Sequence, residues 1–448
     1  MKRMDFFKST GLLALGILGI NTSLQAKKQA DKPNIIFILA DDLGFAEIGC
    51  NGADNYKTPN IDRLANDGMR FTNAYTSPLS GPSRSMILTG RHLFRTGATN
   101  QDACLKVQPS AESLMPTYLK QAGYRSTMIG KFGQMQLEPA DWGFDDYLRF
   151  QGSGIYWNTQ ERGKTYTLNG VKTPLKDKEY MPDVMHKRMV EFLTQNKNKH
   201  FFAYYSLSHV HGEILPTPES KADSKNIYDD NIRYMDKLVG QLRAELVRLK
   251  LDKNTILVFF GDNGTAKPNA DAATIGGRRL IGQKGSMQEG GALVPMLVYW
   301  PGVTPKGKVS NDLISAVDFL PTFTEIAGVK LPTDKTLDGQ SFNAQLHGQK
   351  GNPRSSIFIQ LARNWYVRSS EYKLNQKGEL YDMSKAPFEE ILIPNDAQNT
   401  KALEARKSLQ TELDRLNPQG GFVDTGDESG RHASNVNKKG KKEKKDDE

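Results

Sequence analysis

An unbroken apolar run that ends in two acidic residues is the feature that most constrains the fold of this chain. Residues 34–40 carry no charged side chain, and Asp41 and Asp42 follow directly. Such a run is typical of a strand that is buried on both faces of a parallel sheet. Two further runs, 201–207 and 255–260, have the same character. The three runs predict buried strands at the centre of the fold.

Helix signals alternate with these strands. Between the second and third runs, apolar residues recur at steps of four and three, at Tyr228, Ile232, Met235, Val239, Leu242 and Leu246. This spacing predicts a long amphipathic helix whose apolar stripe packs on the sheet. Thr58 followed by Pro59 predicts the start of another helix. The alternation of strands and helices indicates an α/β fold with a large sheet sandwiched by helices.

The composition changes near residues 345–355. Four short strand-like segments follow, separated by turn residues, at 356–360, 365–368, 372–374 and 379–381. They predict a smaller antiparallel sheet, and a helix over about 400–416 would pack on it. We therefore divide the chain into a large domain over 27–345 and a C-terminal subdomain over 346–424 with a four-stranded sheet and one helix. The Lys-rich residues 425–448 lack apolar character and are expected to form a disordered tail.

The N-terminal residues 1–26 read as a secretory signal. Basic residues precede the apolar run 11–20, and Ala26 follows at a plausible cleavage site. The alternative is a native first helix. No later segment predicts a membrane anchor. Much of the formal charge of +9 lies near the two ends. Since the sequence also shows no nucleic-acid-binding motif, a nucleic-acid partner is not expected. Cys50 and Cys104 are the only cysteines, and the sequence leaves open whether they pair.

Acidic and amide side chains follow two of the predicted buried strands. Asp41 and Asp42 come after the first, and Asp262 and Asn263 come after the strand at 255–260. Ligands gather at the carboxyl ends of the strands of an open α/β sheet, so these side chains are expected to converge on one ion. Three carboxylates and an amide without Cys or His suit Ca²⁺ or Mg²⁺ better than Zn²⁺. The alternative for each pair is a simple turn or helix cap.

The segment from Ser80 to Arg84 predicts an anion site. Pro82 suits the first turn of a helix, which puts Ser80 at a helix N-terminus where free N–H groups and the dipole favour negative charge. Arg84 adds a bidentate donor beside it. The alternative is a surface helix that begins with a proline.

Ser80-x-Pro82-Ser83-Arg84 resembles the signature of type I sulfatases, and other blocks resemble that family in the same order. They span 32–44, 123–133, 284–291, 294–295, 300–302, 318–322, 337–339 and 379–383. The resemblance covers about residues 32–385. It implies an alkaline phosphatase-like fold with a mixed, mostly parallel sheet, and a Ser-type bacterial member of this formylglycine-dependent family within the alkaline phosphatase superfamily.

The resemblance also implies roles for individual residues. Ser80 would be oxidised to formylglycine, the catalytic nucleophile, and Arg84 would hold its hydrate. Lys131 would lie near both nucleophile and sulfate. Lys284 and His211 would bind the sulfate ester, with His211 protonating the leaving oxygen. One Ca²⁺, with Mg²⁺ the less favoured ion, would be held by five side chains: Asp41, Asp42, Ser80, Asp262 and Asn263.

Two questions about histidines stay open at this point. His209 and His211 would share a face of a strand, although the family pattern favours His211 as the catalytic one. Many family members read Gly-Lys-Trp-His where this chain has Gly-Lys-Phe followed by Gly133. The histidine thought to deprotonate the hydrate is therefore missing, and either His92 or His209 is a candidate replacement.

The function that these expectations support is an exported, Ca²⁺-dependent sulfatase that acts on a sulfated glycan. A Ser precursor implies maturation by an anaerobic radical enzyme, and the signal implies the periplasm of a Gram-negative bacterium. One alternative is a phosphatase or phosphodiesterase of the same superfamily, which needs further His ligands where this chain has Asp262 and Asn263. The other is a non-catalytic glycan-binding relative.

Overall fold

The computed structural model describes residues 32–133, 135–158, 165–331, 333–397, 399–422 and 424. The predicted signal segment and the predicted Lys-rich tail lie outside the described residues. Within these ranges, no helix combines the length and the apolarity that crossing a membrane requires. The described residues cluster as one compact unit, while the division into domains at residue 345 stays a prediction.

A ten-stranded sheet forms the centre of the fold, in the order β12-β2-β11-β8-β1-β7-β3-β4-β5-β6, and β9 and β10 form a separate ribbon. The bounds are β1 (Asn34–Ala40), β2 (Met69–Tyr75), β3 (Arg125–Lys131), β4 (Asp146–Phe150), β5 (Thr165–Leu168), β6 (Val171–Pro174), β7 (Phe201–Ser206), β8 (Thr255–Gly261), β9 (Thr274–Ile275), β10 (Arg278–Arg279), β11 (Met296–Tyr299) and β12 (Lys308–Ser315). Strand β1 pairs in parallel with both β7 and β8, and β3 pairs in parallel with β7 and β4. Antiparallel pairs occur at β11, β5 and β6. The sheet is mixed and mostly parallel, as predicted.

Helices cover both faces of this sheet. They are α1 (Pro59–Asp67), α2 (Ser80–Thr89), α3 (Leu93–Thr96), α4 (Met115–Gln121), α5 (Met181–Asn196), α6 (Ile227–Arg248), α7 (Glu289–Ala292), α8 (Phe319–Ala327), α9 (Asn343–Leu346) and α10 (Thr400–Leu416). Short 3-10 helices span Phe45–Glu47, Gly49–Asn51, Ala103–Lys106, Pro109–Ala111, Pro139–Trp142, Asp252–Asn254, Asn269–Asp271, Ala316–Asp318 and Pro418–Gly420. In β1, Ile36 and Ile38 join the core of α5 and α6, whereas Phe37 joins the core of α2, α4 and α8. This alternation is what a strand buried on both faces requires, and it confirms the sandwiched sheet.

The C-terminal sheet has five strands, not the four that the sequence predicted. They are β13 (Ile357–Leu361), β14 (Asn364–Arg368), β15 (Tyr372–Asn375), β16 (Leu380–Asp382) and β17 (Ile391–Ile393), paired antiparallel in that order. Strand β17 was missed because it has only three residues, and its central Leu392 is exposed. Helix α10 packs on this sheet through Leu409, Leu413 and Leu416.

The two cysteines do not form a disulfide. Cys50 and Cys104 are both free thiols, and burial raises the pKa of each above its ordinary value. The fold is held by its apolar cores.

Candidate active site

The carboxyl ends of four neighbouring parallel strands converge on one buried site. Ala40 at the end of β1 pairs with Gly261 at the end of β8, so Asp41 and Asp262 leave the sheet side by side. The backbone N–H of Asp262 donates to the Ala40 carbonyl at 3.0 Å. On the other side of β1, β7 leads towards His209 and His211, and β3 ends at Lys131. The strand order therefore collects the predicted residues at one edge of the sheet.

Ser80 is the first residue of α2 and is buried. Its hydroxyl lies 2.9 Å from Oδ1 of Asn263 and 3.3 Å from Oδ1 of Asp41, and it accepts from the Lys131 ammonium at 3.2 Å. The Ser83 hydroxyl donates to the Leu79 carbonyl at 2.8 Å, which fixes the turn that presents Ser80. The structure thus brings the helix N-terminus to the acidic loops.

Three carboxylates and three cationic side chains are packed together here. Lys131 donates to Oδ1 of Asp41 at 2.6 Å, and Lys284 donates to Oδ2 of Asp42 at 2.7 Å. Oδ1 of Asp262 accepts from the backbone N–H of Asp42 at 3.0 Å. The three carboxylates are at most 2% exposed. Such charges are costly to bury unless partners or an ion compensate them.

Arg84 connects two strand ends through its buried guanidinium. It donates to Oδ2 of Asp262 at 2.7 Å and to the Lys131 carbonyl at 2.9 Å, and it also contacts the Ser206 hydroxyl. Although burial lowers the pKa of Arg84, its neighbours together, with Asp262 foremost, outweigh burial and raise the pKa above the ordinary value. Arg84 is therefore a fixed positive charge one helical turn after Ser80.

The acidic residues differ in their proton affinity. Burial raises the pKa of Asp41 above its ordinary value even with Lys131 beside it. Burial acts in the same direction on Asp42 and Asp262, but neighbouring cations outweigh it and lower the pKa of both. Burial also lowers the pKa of Lys131.

The donor set fits a hard divalent cation. Oδ2 of Asp41 is buried without a hydrogen-bond partner, which is costly for a carboxylate oxygen. Among the described residues, one group of three His, Cys, Asp or Glu side chains is close enough to hold a metal, and it comprises Asp41, Asp42 and His211. Carboxylate oxygens and the Asn263 amide oxygen are the ligand types that Ca²⁺ prefers.

The two neighbouring histidines have different surroundings. Nε2 of His211 lies 3.7 Å from Oδ2 of Asp42, and its side chain is 26% exposed. The His209 ring is buried among tyrosines, with Nε2 3.1 Å from the Tyr180 hydroxyl, and burial lowers its pKa to about 3. The structure therefore places the His211 ring beside the carboxylates, whereas the His209 ring contacts tyrosines.

Gly133 lies directly beside Arg84. It has a φ of +78°, and a Cβ here would meet Cδ of Arg84 at 3.0 Å. His92 follows the far end of α2, which has ten residues and is about 15 Å long at 1.5 Å per residue. Its ring packs on Phe94 and Phe358. His92 is thus separated from Ser80 by the length of that helix.

Sequence reasoning missed residues that support the site from other elements. The Tyr156 hydroxyl donates to the carbonyls of Ser208 and His211 and so holds the loop after β7. Glu47 accepts from the Tyr228 hydroxyl at 2.6 Å and the Gly44 N–H at 2.7 Å, and burial raises its pKa to about 7. The sequence does not show these roles, because Tyr156 and its partners, like Tyr228 and Glu47, are at least 52 residues apart along the chain.

Two family models match the chain. One, described as Sulfatase, matches residues 33–329, which is more than half of the chain. The other, described as N-sulphoglucosamine sulphohydrolase, C-terminal, matches residues 280–419. The second match includes the loop of Lys284 as well as the C-terminal sheet.

Relatives and solved structures agree with these matches. Arylsulfatase G of Rattus norvegicus is 30% identical over 398 residues, covering 78% of this chain and 75% of the relative. N-acetylgalactosamine-6-sulfatase of Mus musculus is 31% identical over 364 residues, covering 73% and 68%. The crystal structure of Ps i-CgsB in complex with k-i-k-neocarrahexaose has a TM-score of 0.75 and 27% identity, covering 88% of this chain and 95% of that chain.

Proposed function

The chain belongs to the sulfatase family, and on that premise we propose that it removes sulfate from a sulfated glycan with an oxidised Ser80 and one Ca²⁺. Its membership makes it a sulfuric ester hydrolase and favours this function over a phosphatase or a non-catalytic glycan-binding relative. The mechanism, the ion and the substrate class are the proposal.

The observation that carries the proposal is the environment of the Ser80 hydroxyl. It lies at the start of α2, within 3.3 Å of Asn263, Lys131 and Asp41. The Ser80 hydroxyl faces Asp41 and Asn263, which we assign to the ion, and the cationic Lys131, so an unmodified serine would have none of these neighbours as its base. Oxidation of Ser80 to formylglycine would supply a hydrated aldehyde. One hydroxyl would attack sulfur as the bond from sulfur to the sugar oxygen breaks and the alcohol leaves with a proton; loss of the proton from the other hydroxyl would then break the C–O bond, expel sulfate and restore the aldehyde.

The residues present fit one Ca²⁺. Asp41, Asp42, Asp262 and Asn263 would hold it together with the oxidised Ser80, and the unpartnered Oδ2 of Asp41 supports this assignment. When bound, the ion supplies positive charge to sulfate oxygens and to the nucleophile. A bound ion would also compensate part of the carboxylate charge, which would let Lys131 and Lys284 donate to the sulfate as well as to the carboxylates.

The remaining roles follow from position and charge. Arg84 would hold the hydrate of Ser80 in place, and Lys131 would donate to both the hydrate and the sulfate. Lys284 would bind a sulfate oxygen. His211, partly exposed beside Asp42, would donate a proton to the leaving oxygen of the sugar. Fixed donors that face the charge that develops on the ester are the main source of stabilisation in such a site.

The substrate class rests on the relatives. N-acetylgalactosamine-6-sulfatase is named for a sulfated sugar, and Ps i-CgsB binds k-i-k-neocarrahexaose. By analogy we propose a sulfated carbohydrate for this chain. Because the precursor is a serine, we further propose an anaerobic radical maturase as a partner. We also propose that the enzyme is exported to the periplasm.

The test compares two serines of the same helix. In the matured protein, the peptide with Ser80 should be lighter by about two mass units, as oxidation of a hydroxymethyl group to an aldehyde requires. Ser80→Ala should abolish sulfate release without loss of the fold. Ser85, buried in α2 without a hydrogen-bond partner, is the control, and Ser85→Ala should stay active. Full activity of Ser80→Ala, or an unmodified Ser80 in an active sample, would overturn the mechanism.

A further inference from the structure

The segments that carry Ser80 and Lys284 reach the site side by side. The backbone N–H of Gly285 donates to the Pro78 carbonyl at 2.9 Å, and that of Thr76 donates to the Ala292 carbonyl at 3.0 Å. A Cβ on Gly264 would collide with the Gly290 carbonyl oxygen, so the loop after β8 also lies directly against this region. The distance between Ser80 and Lys284 is therefore set by how these segments are held.

A buried triad joins the two segments to the C-terminal sheet. The Tyr75 hydroxyl donates to Oε2 of Glu289 at 2.7 Å, and Arg368 donates to both oxygens of Glu289 at 2.7 Å and contacts the Tyr75 hydroxyl. Arg368 and Glu289 are 3% and 1% exposed. Tyr75 precedes Ser80 by five residues and Glu289 follows Lys284 by five. The triad thus spans both segments from a third element, β14.

Other contacts from the C-terminal sheet have the same targets. Lys373 of β15 donates to the Met287 carbonyl at 2.9 Å and pairs with Glu390 at 2.6 Å. Glu390 in turn accepts from the backbone N–H of Glu289 at 3.1 Å. On the other segment, the Ser77 hydroxyl donates to the Gln360 carbonyl of β13 at 3.0 Å. Both segments are therefore tied to one rigid sheet.

The physics of such a triad favours geometry over stability as its role. Burying a charged pair costs desolvation that roughly cancels its attraction, so hydrophobic replacements are often as stable. The planar guanidinium of Arg368, in contrast, donates through Nη1 to both oxygens of Glu289 and through Nε to the Ser369 carbonyl at 3.0 Å, so it fixes the carboxylate relative to the end of β14. A displacement of about 1 Å at a reacting centre can lower a rate about 100-fold. Fixing the two segments therefore matters more for turnover than for folding.

We infer that Arg368, through Glu289 and Tyr75, is a positioning residue that sets the placement of Lys284 relative to Ser80. The inference rests on the proposed role of Lys284 in binding sulfate. The C-terminal sheet then influences the reaction only indirectly. In the triad, Arg368 contacts Glu289 and Tyr75, and these in turn hold the segments that carry Lys284 and Ser80.

The test compares Arg368 with Arg354, each of which donates to both oxygens of one carboxylate. Arg368→Lys keeps the charge but loses the planar group that joins Glu289 to the Ser369 carbonyl, and we expect kcat/KM for an aryl sulfate to fall at least about tenfold, with weaker inhibition by inorganic sulfate. Arg354 donates to both oxygens of Asp318 and touches neither catalytic segment. Arg354→Lys should therefore lower Tm similarly but leave sulfate inhibition unchanged. Equal effects of the two variants on sulfate inhibition would overturn the inference.

A milder pair keeps the test decisive if Arg368→Lys does not fold. Tyr75→Phe removes only the hydroxyl of the triad, whereas Tyr124→Phe removes a comparable bond to the Pro33 carbonyl far from the site. Only Tyr75→Phe should weaken sulfate inhibition. Lys284→Ala provides the reference. If it leaves sulfate inhibition unchanged, both its proposed role and the inference fail; if it weakens inhibition and Tyr75→Phe does not, the inference alone fails.

Discussion

The carboxyl edge of the large sheet and the C-terminal sheet both bury charged side chains, but they compensate them differently. At the carboxyl edge, Asp41, Asp42 and Asp262 share three cations, and Oδ2 of Asp41 has no hydrogen-bond partner. In the C-terminal sheet, Arg368 and Lys373 each face one carboxylate, and the oxygens of Glu289 and Glu390 all accept hydrogen bonds.

This difference separates a binding site from a structural support. A cluster with an unused carboxylate oxygen still has a ligand atom to offer a cation, whereas a fully satisfied pair gains nothing from a ligand. The opposite face of the C-terminal sheet is apolar and packs on α10. The first region should therefore control turnover, and the second should control stability and placement.

Loss of the ion should have the largest effect on turnover. A small effect would contradict the contrast drawn between the carboxyl edge and the C-terminal sheet. Asp41→Ala removes a proposed ligand and should eliminate bound Ca²⁺ and lower kcat by about 1000-fold, since metal stabilisation of such charge is worth several kcal/mol. Asp146 is buried at the opposite end of the sheet, where its carboxylate bonds Thr127 and Asn169. Asp146→Asn should retain the ion, as elemental analysis can measure. A wild type that stays active after complete chelation would exclude the metal site.

The second prediction concerns His211 as the proposed acid. Alkyl sulfates have poor leaving groups that need protonation, whereas aryl sulfates with acidic phenols need it less. His211→Ala should therefore lower kcat about 100-fold for a sugar sulfate and much less for an activated aryl sulfate.

His209 provides the matched control two residues away. Its ring packs among tyrosines, so His209→Ala should lower stability without this substrate selectivity. Selective loss in His209→Ala instead would mean that the acid is the other histidine. An equal loss for both substrates in His211→Ala would make His211 a binding residue.

Much of the fold could be predicted because its signals are local. The apolar run at Asn34–Ala40 is β1 in the structure, and the predicted helix over 400–416 is α10. Both depend on periodicity within one segment, which a single sequence displays. Strand β17 was not predicted, because it is a short edge strand whose three residues are all half-buried or exposed and therefore show no alternation of buried and exposed positions.

The candidate site was predictable where residues stand next to strand ends, in the Ser80 motif, or at positions that the family resemblance assigns. Asp41 and Asp262 could be placed together because parallel neighbours end at the same edge. The pairing of Arg368 with Glu289 could not be predicted. The two residues are 79 apart along the chain, and they meet only because of how the C-terminal sheet docks. The choice between His209 and His211 likewise depends on the tyrosines that surround one ring and not the other.

The third prediction sharpens the stability half of the comparison. Leu413 of α10 is buried against the C-terminal sheet, so Leu413→Ala should lower the free energy of unfolding by about 3 kcal/mol through lost burial and a cavity. The kcat of the remaining folded enzyme should stay near the wild type, because no proposed catalytic side chain touches α10. Leu403 is exposed on the same helix, and Leu403→Ala is the control with an expected change below about 0.5 kcal/mol. A large loss of kcat in Leu413→Ala at matched folded fraction would show that α10 also controls turnover.

The fourth prediction probes the seam between the two regions, where the ring of His92 packs on Phe358 of β13. Burial lowers the pKa of His92 to about 4 from an ordinary 6.5. The unfolded chain therefore binds a proton as pH falls below 6.5 while the folded chain does not, so stability is lost on acidification and the loss is complete below about pH 4. Between pH 7 and pH 5 this costs about 2 kcal/mol at 1.36 kcal/mol per pH unit.

Glu47, whose pKa is raised to about 7, acts in the opposite sense, because the folded chain holds its proton over the same range. Urea unfolding of the wild type and His92→Phe at both pH values cancels Glu47, since both proteins contain it. The wild type should lose about 2 kcal/mol more than His92→Phe, and equal losses would show that His92 is not neutral in the folded seam.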